Sequence, residues 1–369
     1  MLDQIATEFR QNGKEAELEV VELNFDSKWM GNDGLKILLD SPFLSAAKID
    51  LSGNEINSEG ATSIVQTGAW SALRELRLSW NSIGDVGAIS FALNPVWSDL
   101  RIMDLSSNKI GNDGAKALGE NKIWTKLEGL DLNRNLIGDQ GVRSIGANEV
   151  WKALKVFEIR ENKISDEGAV DLGKNSSWIN LETLIISDNP RGSNGFIALE
   201  RNVAWKKLKK LTLRNNKIQD EDHTEIMAHE SINWSNIIEL RLNSNKIGDR
   251  MIMDVFRRGS WKYLRVLELS RNNIGDKGAL ALVCNTSWIN LEELYLETNQ
   301  IGDEGAIALV SNLSWKYLKM LNIEDNRLSE EGHSISLRIR EKSSHSSKTG
   351  RPENRQWPMF KTISTRIFA

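Results

Sequence analysis

The sequence contains a single cysteine, Cys284, in 369 residues. No disulfide can close within the chain, and the paired-cysteine caps frequent in extracellular repeat proteins are missing, so a reducing compartment is expected. No stretch approaches the roughly 18 apolar residues of a membrane span. Residues 1–17 (MLDQIATEFRQNGKEAE) lack an apolar core of signal-peptide length. A soluble, cytoplasmic protein is expected, with delivery into a host cell by leaderless bacterial secretion left open. No G-x4-G-K-[ST] phosphate loop is present, which excludes that nucleotide-binding module.

Histidine is scarce too. His223 and His229 are six residues apart, about 600 degrees of helix rotation, so they cannot share one face around a metal. His333 and His345 stand apart from any ligand cluster. Cys284 has no histidine or acid at catalytic spacing and is expected to be a buried small hydrophobe. No constellation meets the geometry of catalysis. No enzyme, metal or cofactor is expected.

What the chain does have is tryptophan on a fixed period: Trp70, Trp97, Trp124, Trp151, Trp178 and Trp205, then Trp234, Trp261, Trp288 and Trp315. The spacing is 27 residues throughout, apart from one step of 29. Self-similarity at such a period marks a solenoid. With each Trp as position zero, the copies read W-x2-L-x2-L-x-L-x2-N-x-I-G-D-x-G-A-x-A-L-x2-N-x2. Phe43 takes the Trp place in the first of eleven copies, and a worn twelfth, with Leu18, Val21 and Leu23, precedes it.

Each column has a physical reading. The L-x-L pair, as in Leu76 and Leu78, has the two-residue period of a short strand with one face buried. Asn at position 11, from Asn54 to Asn326, carries donors and an acceptor able to satisfy backbone groups of neighbouring turns. Position 15 is Asp, Asn or Ser in ten of eleven copies, which predicts the N-cap of a short helix. Gly, Ala and Leu at positions 17, 18 and 21 suit close packing of that helix on the strand layer. Asn at position 24, as in Asn121 and Asn148, is expected to end it in a left-handed conformation. The Trp ladder is read as core, not as a ligand cage.

The order strand, helix, repeated about twelve times, gives an α/β solenoid. Residues 1–42 are read as an N-terminal cap with the degenerate repeat, 43–340 as the array, and 341–369 as a basic, largely disordered tail. Residues 338–369 carry eight Lys or Arg against two Glu, so the net charge of −4 divides into +6 there and −10 in the first 337 residues. The apolar stretch from Trp357 to Phe360 is a candidate cap. The copies from Trp205 and Trp234 are irregular, with Asp222 and Met251 in the glycine column and two extra residues in the first, and Arg191 replaces Ile in the copy before; a bulge or tilt is expected there.

The L-x-x-L-x-L-x-x-N-x-I-G-D-x-G-A-x-A-L stretch resembles the ribonuclease-inhibitor-like class of leucine-rich repeats over roughly residues 15 to 337. The resemblance implies a curved horseshoe with a parallel sheet on the concave face and helices on the convex face. That class includes ribonuclease inhibitors, the Ran GTPase-activating protein, sensor ends of NOD-like receptors and bacterial proteins delivered into host cells. It implies a non-catalytic scaffold holding a partner protein. A regulator of a partner enzyme of the Ran GTPase-activating type, or a sensor fragment, is the alternative.

If the L-x-L strand faces inward, positions 5, 7, 9 and 10 project from the concave sheet. Position 7 supplies Arg77, then an acidic run of Asp104, Asp131 and Glu158 on adjacent strands, then Arg241 and Tyr295. Position 9 adds Arg160 and Arg214, and position 10 adds Trp80 and Arg134. Like charges about 4.8 Å apart are costly unless solvent screens them or a basic partner covers them. Trp80 is the one array Trp out of step and should be exposed; with Arg77, and separately Tyr295, it is an expected anchor. A ring lying flat on its neighbours is the alternative for Trp80. The partner expected is a protein bound by a monomer, with no membrane span and no nucleic acid; contact of the basic tail with acidic lipid or nucleic acid is the alternative to a solvated tail.

Overall fold

The computed structural model describes residues 22–40, 46–68, 70–189, 192–220, 234–257, 259 and 261–330. Expectations on Leu18, Val21, Phe43, Arg191, Asp222, all four histidines and the tail with Trp357 to Phe360 lie outside these described residues. The chain divides into two compact units, one running to Asn216 and one starting at Lys217.

In the first unit eight three-residue strands follow one another in parallel: β1 (Glu22–Asn24), β2 (Lys48–Asp50), β3 (Glu75–Arg77), β4 (Ile102–Asp104), β5 (Gly129–Asp131), β6 (Val156–Glu158), β7 (Thr183–Ile185) and β8 (Lys210–Thr212). Between them lie α1 (Gly31–Leu39), α2 (Ser58–Gln66), α3 (Gly84–Ala92), α4 (Asn112–Glu120), α5 (Asp139–Gly146), α6 (Asp166–Gly173) and α7 (Ser193–Glu200). The second unit repeats the plan with β9 (Glu239–Arg241), β10 (Val266–Glu268), β11 (Glu293–Tyr295) and β12 (Met320–Asn322). Its helices are α8 (Asp249–Met251), α9 (Asp276–Val283) and α10 (Asp303–Val310). No described helix is long and apolar enough to cross a membrane.

The strand register places equal columns side by side, as in Leu76 against Met103 and Leu130 against Phe157. The middle residue of each regular strand is buried and its two flanks are half-buried, the alternation that a pleated strand imposes. Positions 5 and 7 therefore share the outer sheet face. The Trp rings fill the space behind it: Trp97 to Trp315 are almost fully buried. Trp151, Trp178 and Trp205 stack at centroid separations of 6.5 and 6.4 Å, within the range of offset aromatic pairs. The indole N–H groups of Trp124, Trp151, Trp178 and Trp205 are buried and have no hydrogen-bond partner among the described residues. Ring area and not polarity holds the ladder in place.

Asparagine at position 11 links neighbouring copies. Asn135 accepts from Ile110 N at 2.9 Å and donates to the Leu105 carbonyl at 3.0 Å, both one copy earlier. Asn81, Asn108 and Asn162 repeat the arrangement. Each amide answers backbone groups that burial would otherwise leave unpaired.

Two columns act differently from expectation. The residue at position 15 is already inside its own helix; its side chain caps the helix of the next copy. Asp276 Oδ1 accepts from Gly302 N at 2.7 Å and Gly305 N at 2.8 Å, and Asp85 accepts from Gly111 N and Gly114 N at 2.6 and 3.0 Å. The helices start in register, so the free N–H groups of one lie within reach of the carboxylate before it. Gly114 shows the closeness required, since a Cβ there would meet Asp85 Oδ1 at 2.7 Å and Ile110 Cγ2 at 2.8 Å. Asn at position 24 does not adopt the left-handed conformation: Asn121 has φ −60° and ψ 131°. Its Oδ1 accepts from Ile123 N and Trp124 N at 3.0 and 2.9 Å, and its Nδ2 donates to Ala92 O at 2.7 Å. This second amide ladder seats the next tryptophan.

The left-handed residue is at position 10 instead. Trp80, Ser107, Arg134, Glu161, Asp188, Asn215, Ser244, Arg271, Thr298 and Asp325 all have φ between 52° and 58°. Most are residue types that pay about 1–2 kcal/mol for this conformation. The irregular copy from Trp234 has a different helix: α8 has only three residues and passes into a π-turn at Ile252–Phe256. Met251 stands there in the glycine column and is fully buried. A side chain at this tight position requires a wider turn.

Candidate functional site

Strands β3 to β6 of the first unit carry the main concentration of outward groups. Their register sets Arg77, Asp104, Asp131 and Glu158 in successive rows. Position 5 in the same rows reads Glu75, Ile102, Gly129 and Val156. Gly129 leaves a gap between two branched apolar side chains, and the result is an open groove of about 330 Å3. Arg77, Ile102, Asp104, Glu128, Gly129, Asp131, Lys155, Val156 and Glu158 contribute to its lining. Two cations against four carboxylates give it a net charge of −2 when all are ionised.

The two banks differ. On one, Glu128 accepts from Arg101 at 3.0 Å and from Lys155 at 2.6 Å. The Lys155 hydrogen bond, working against partial burial, holds the Glu128 carboxyl below its usual range. That bank is neutralised internally. The Arg77 guanidinium is likewise engaged, at 2.6 Å from Glu75.

Among the described residues the opposite bank forms no such ion pair, and Arg77 and Arg160 act on it only at longer range. Asp104 accepts from the backbone and hydroxyl of Ser106 at 2.9 and 2.8 Å. Asp131 accepts from Asn133 N at 2.8 Å, and Asn133 Nδ2 donates to Glu158 at 2.9 Å. Burial pushes the Asp131 carboxyl from 3.8 to about 7, with Asp104 and Glu158 adding to the shift while the Asn133 N–H and Arg160 oppose it. The repulsion expected for three adjacent acids is thus relieved in part by a retained proton.

Trp80 is 63% exposed. Its cationic neighbour is Arg134, two copies onward, with the guanidinium carbon 5.6 Å from the ring centroid, within cation–π range. Arg134 also pairs with Glu161 at 3.0 Å, and Arg160 approaches Glu161 at 3.4 Å. The ring is therefore flanked by Arg134 yet remains open to solvent. Arg214, on the same unit, is exposed, and its backbone N–H donates to Ser187 Oγ at 3.1 Å.

Arg241 and Tyr295 lie in the second unit and form a separate set. Arg241 pairs with Glu239 and lies 3.8 Å from Glu268. The Tyr295 hydroxyl donates to Glu293 at 2.9 Å, and burial together with that carboxylate pushes its ionisation up to about 12. Burial, reinforced by Glu297, also pushes the Glu268 carboxyl up. Of the ten sequence-derived site residues, seven stand together over β3 to β6, Arg241 and Tyr295 form a second set, and Arg214 stands apart from both. Reading positions 7, 9 and 10 passed over Gly129, whose signal was a lone glycine in the position 5 column. Cys284 is exposed, contrary to the expectation of a buried hydrophobe, because it follows the last residue of α9 and turns away from the packed face.

Residues 48–65, 72–92, 98–119, 125–146, 153–173, 262–283 and 289–310 match a family model described as Leucine Rich repeat. No curated protein matches the chain. An internalin (inlF) from Listeria monocytogenes is 19% identical with a TM-score of 0.45, over 81% of this chain and 89% of that one. A TDR receptor is 15% identical with a TM-score of 0.42, over 84% and 62% of the two chains. The plant peptide hormone receptor RGFR1 in complex with RGF2 is 15% identical with a TM-score of 0.37, over 78% and 52%. Seven matched repeats, parallel three-residue strands and the asparagine ladder together make the chain an α/β leucine-rich-repeat solenoid.

Proposed function

We propose that the chain is a non-catalytic interaction scaffold that holds a partner protein against the outer sheet face of its first unit. The observation that carries this reading is one of placement. The repeated columns of Trp, Asn and Asp are spent on holding neighbouring copies together. The columns that vary, on β3 to β6, bring an exposed Trp80, an open groove and a bank of three acids onto one face. Exposed aromatic and arginine side chains of this kind dominate binding energy in protein interfaces, and a charged face speeds and selects encounter. Arg77, Arg134, Arg160 and Arg214 would supply contacts at the rim. The 27-residue period and the helix in each regular copy support the ribonuclease-inhibitor-like subclass.

Affinity capture followed by mass spectrometry tests this reading. The variants are Trp80→Ala, the triple reversal Asp104→Lys, Asp131→Lys and Glu158→Lys, and Lys116→Glu on exposed α4. A specific partner should be captured by the wild type and by Lys116→Glu and lost from the other two. A partner captured equally by all four proteins overturns it.

A further inference from the structure

We propose that the groove over Gly129 receives one lysine or arginine side chain from the partner, its aliphatic stem between Ile102 and Val156 and its cationic head against Asp104, Asp131 and Glu158. The inference rests on the sheet-face reading above and names the chemistry it recognises. Three features converge on it. The gap has apolar flanks, because Ile102 and Val156 stand on either side of a residue with no side chain. It is roomy, with a volume of about 330 Å3. And it is acidic on one bank only.

A lysine or arginine side chain has the matching form, an apolar stem ending in a charge. An anion is disfavoured, since both lining cations are engaged, Arg77 by Glu75 and Lys155 by Glu128. An apolar side chain would bury the acidic bank further and return nothing to it. Among the described residues no group of three or more His, Cys, Asp or Glu is placed to hold a metal ion. The aspartate at the centre of the bank is faced by Asp104 from β4 and by Glu158 and Arg160 from β6 and the turn after it, with Arg77, Glu128 and Lys155 around the groove. A cation arriving among these groups displaces the proton retained by Asp131, so uptake should strengthen as pH rises through neutrality.

The glycine makes the proposal testable without unfolding the protein. A Cβ on Gly129 would meet only Ile102, at 3.9 and 4.0 Å, so Gly129→Leu should fold and plug the groove. The probes are N-acetyl-arginine methylamide, its lysine counterpart and the neutral isostere N-acetyl-citrulline methylamide. They are titrated into methyl-labelled full-length protein, with the Ile102 and Val156 methyl resonances as reporters. Saturable shifts are expected with both cationic probes, about tenfold weaker binding with citrulline, and no shift in Gly129→Leu. For a group titrating near 7, affinity should rise about tenfold between about pH 6 and about pH 8 in the wild type and stay flat in Asp131→Asn.

Equal binding of citrulline, undiminished binding to Gly129→Leu, or silent methyl groups at about pH 8 overturns the proposal. These titrations need no partner protein, so they fail or succeed apart from the sheet-face reading. If Gly129→Leu still captures the partner that Trp80→Ala loses, the face stands and the groove falls.

Discussion

Replacing Asp131 by asparagine should stabilise the protein in alkali and leave it unchanged in acid. Burial and two neighbouring acids move the folded-state ionisation of Asp131 from 3.8 to about 7. Between those values the unfolded chain has lost its proton while the native protein keeps it. Native stability therefore falls as pH rises through that window, and the full cost persists above it. At 1.36 kcal/mol per unit, a shift of roughly three units amounts to about 4 kcal/mol as an upper estimate. Asparagine keeps the acceptor for Asn133 N at 2.8 Å and cannot ionise. Its advantage over aspartate should grow from near zero at about pH 4 to as much as about 4 kcal/mol at about pH 8. Urea denaturation of both proteins across that range measures the difference directly. A difference that does not vary with pH, or a variant less stable than wild type in alkali, refutes the reasoning.

Three further outcomes follow from the frame. Trp178→Ala should cost about 3–5 kcal/mol, whereas Trp178→Phe should cost less than half of that, because it keeps a ring between Trp151 and Trp205 and removes an unpaired indole N–H; equal losses in denaturation would contradict this. Asp276→Ala should cost about 2 kcal/mol and speed hydrogen exchange at Gly302 and Gly305, one copy downstream; faster exchange confined to its own helix would restore the expectation of a local cap. Thr298→Gly should gain about 1 kcal/mol, since a β-branched residue at φ 57° is strained there; a melting temperature that falls would show that contacts of the threonine outweigh the strain.

The solenoid was legible in the sequence because each column repeats often enough to show its period. The strand, the buried tryptophan and the position 11 amides all stand where the register puts them. What escaped was any role shared between copies. A column of Asp looks like a cap whether it serves its own helix or the next, and only the packing of Gly114 against Asp85 decides between them. The same holds for Asn121, whose amide bridges two copies where a lone helix end would have called for a left-handed residue.

The candidate face was legible in part. Alternation predicted which side chains project, and Trp80 is exposed as its position demands. Its pairing with Arg134 spans two copies and left no local pattern. The acidic run was visible residue by residue, but the retained proton was not, because it arises from burial as well as from charge. Gly129 carried the plainest signal, a missing side chain in a column otherwise filled.

The central claim is that a partner lies on the sheet face of the first unit. Photo-crosslinking from p-benzoylphenylalanine tests it most directly, with the probe at Ser79, on the sheet-face turn beside Trp80, or at Lys116, exposed on α4. The account predicts a covalent adduct with the captured partner from position 79 and none from position 116. An adduct formed from position 116 alone would contradict it.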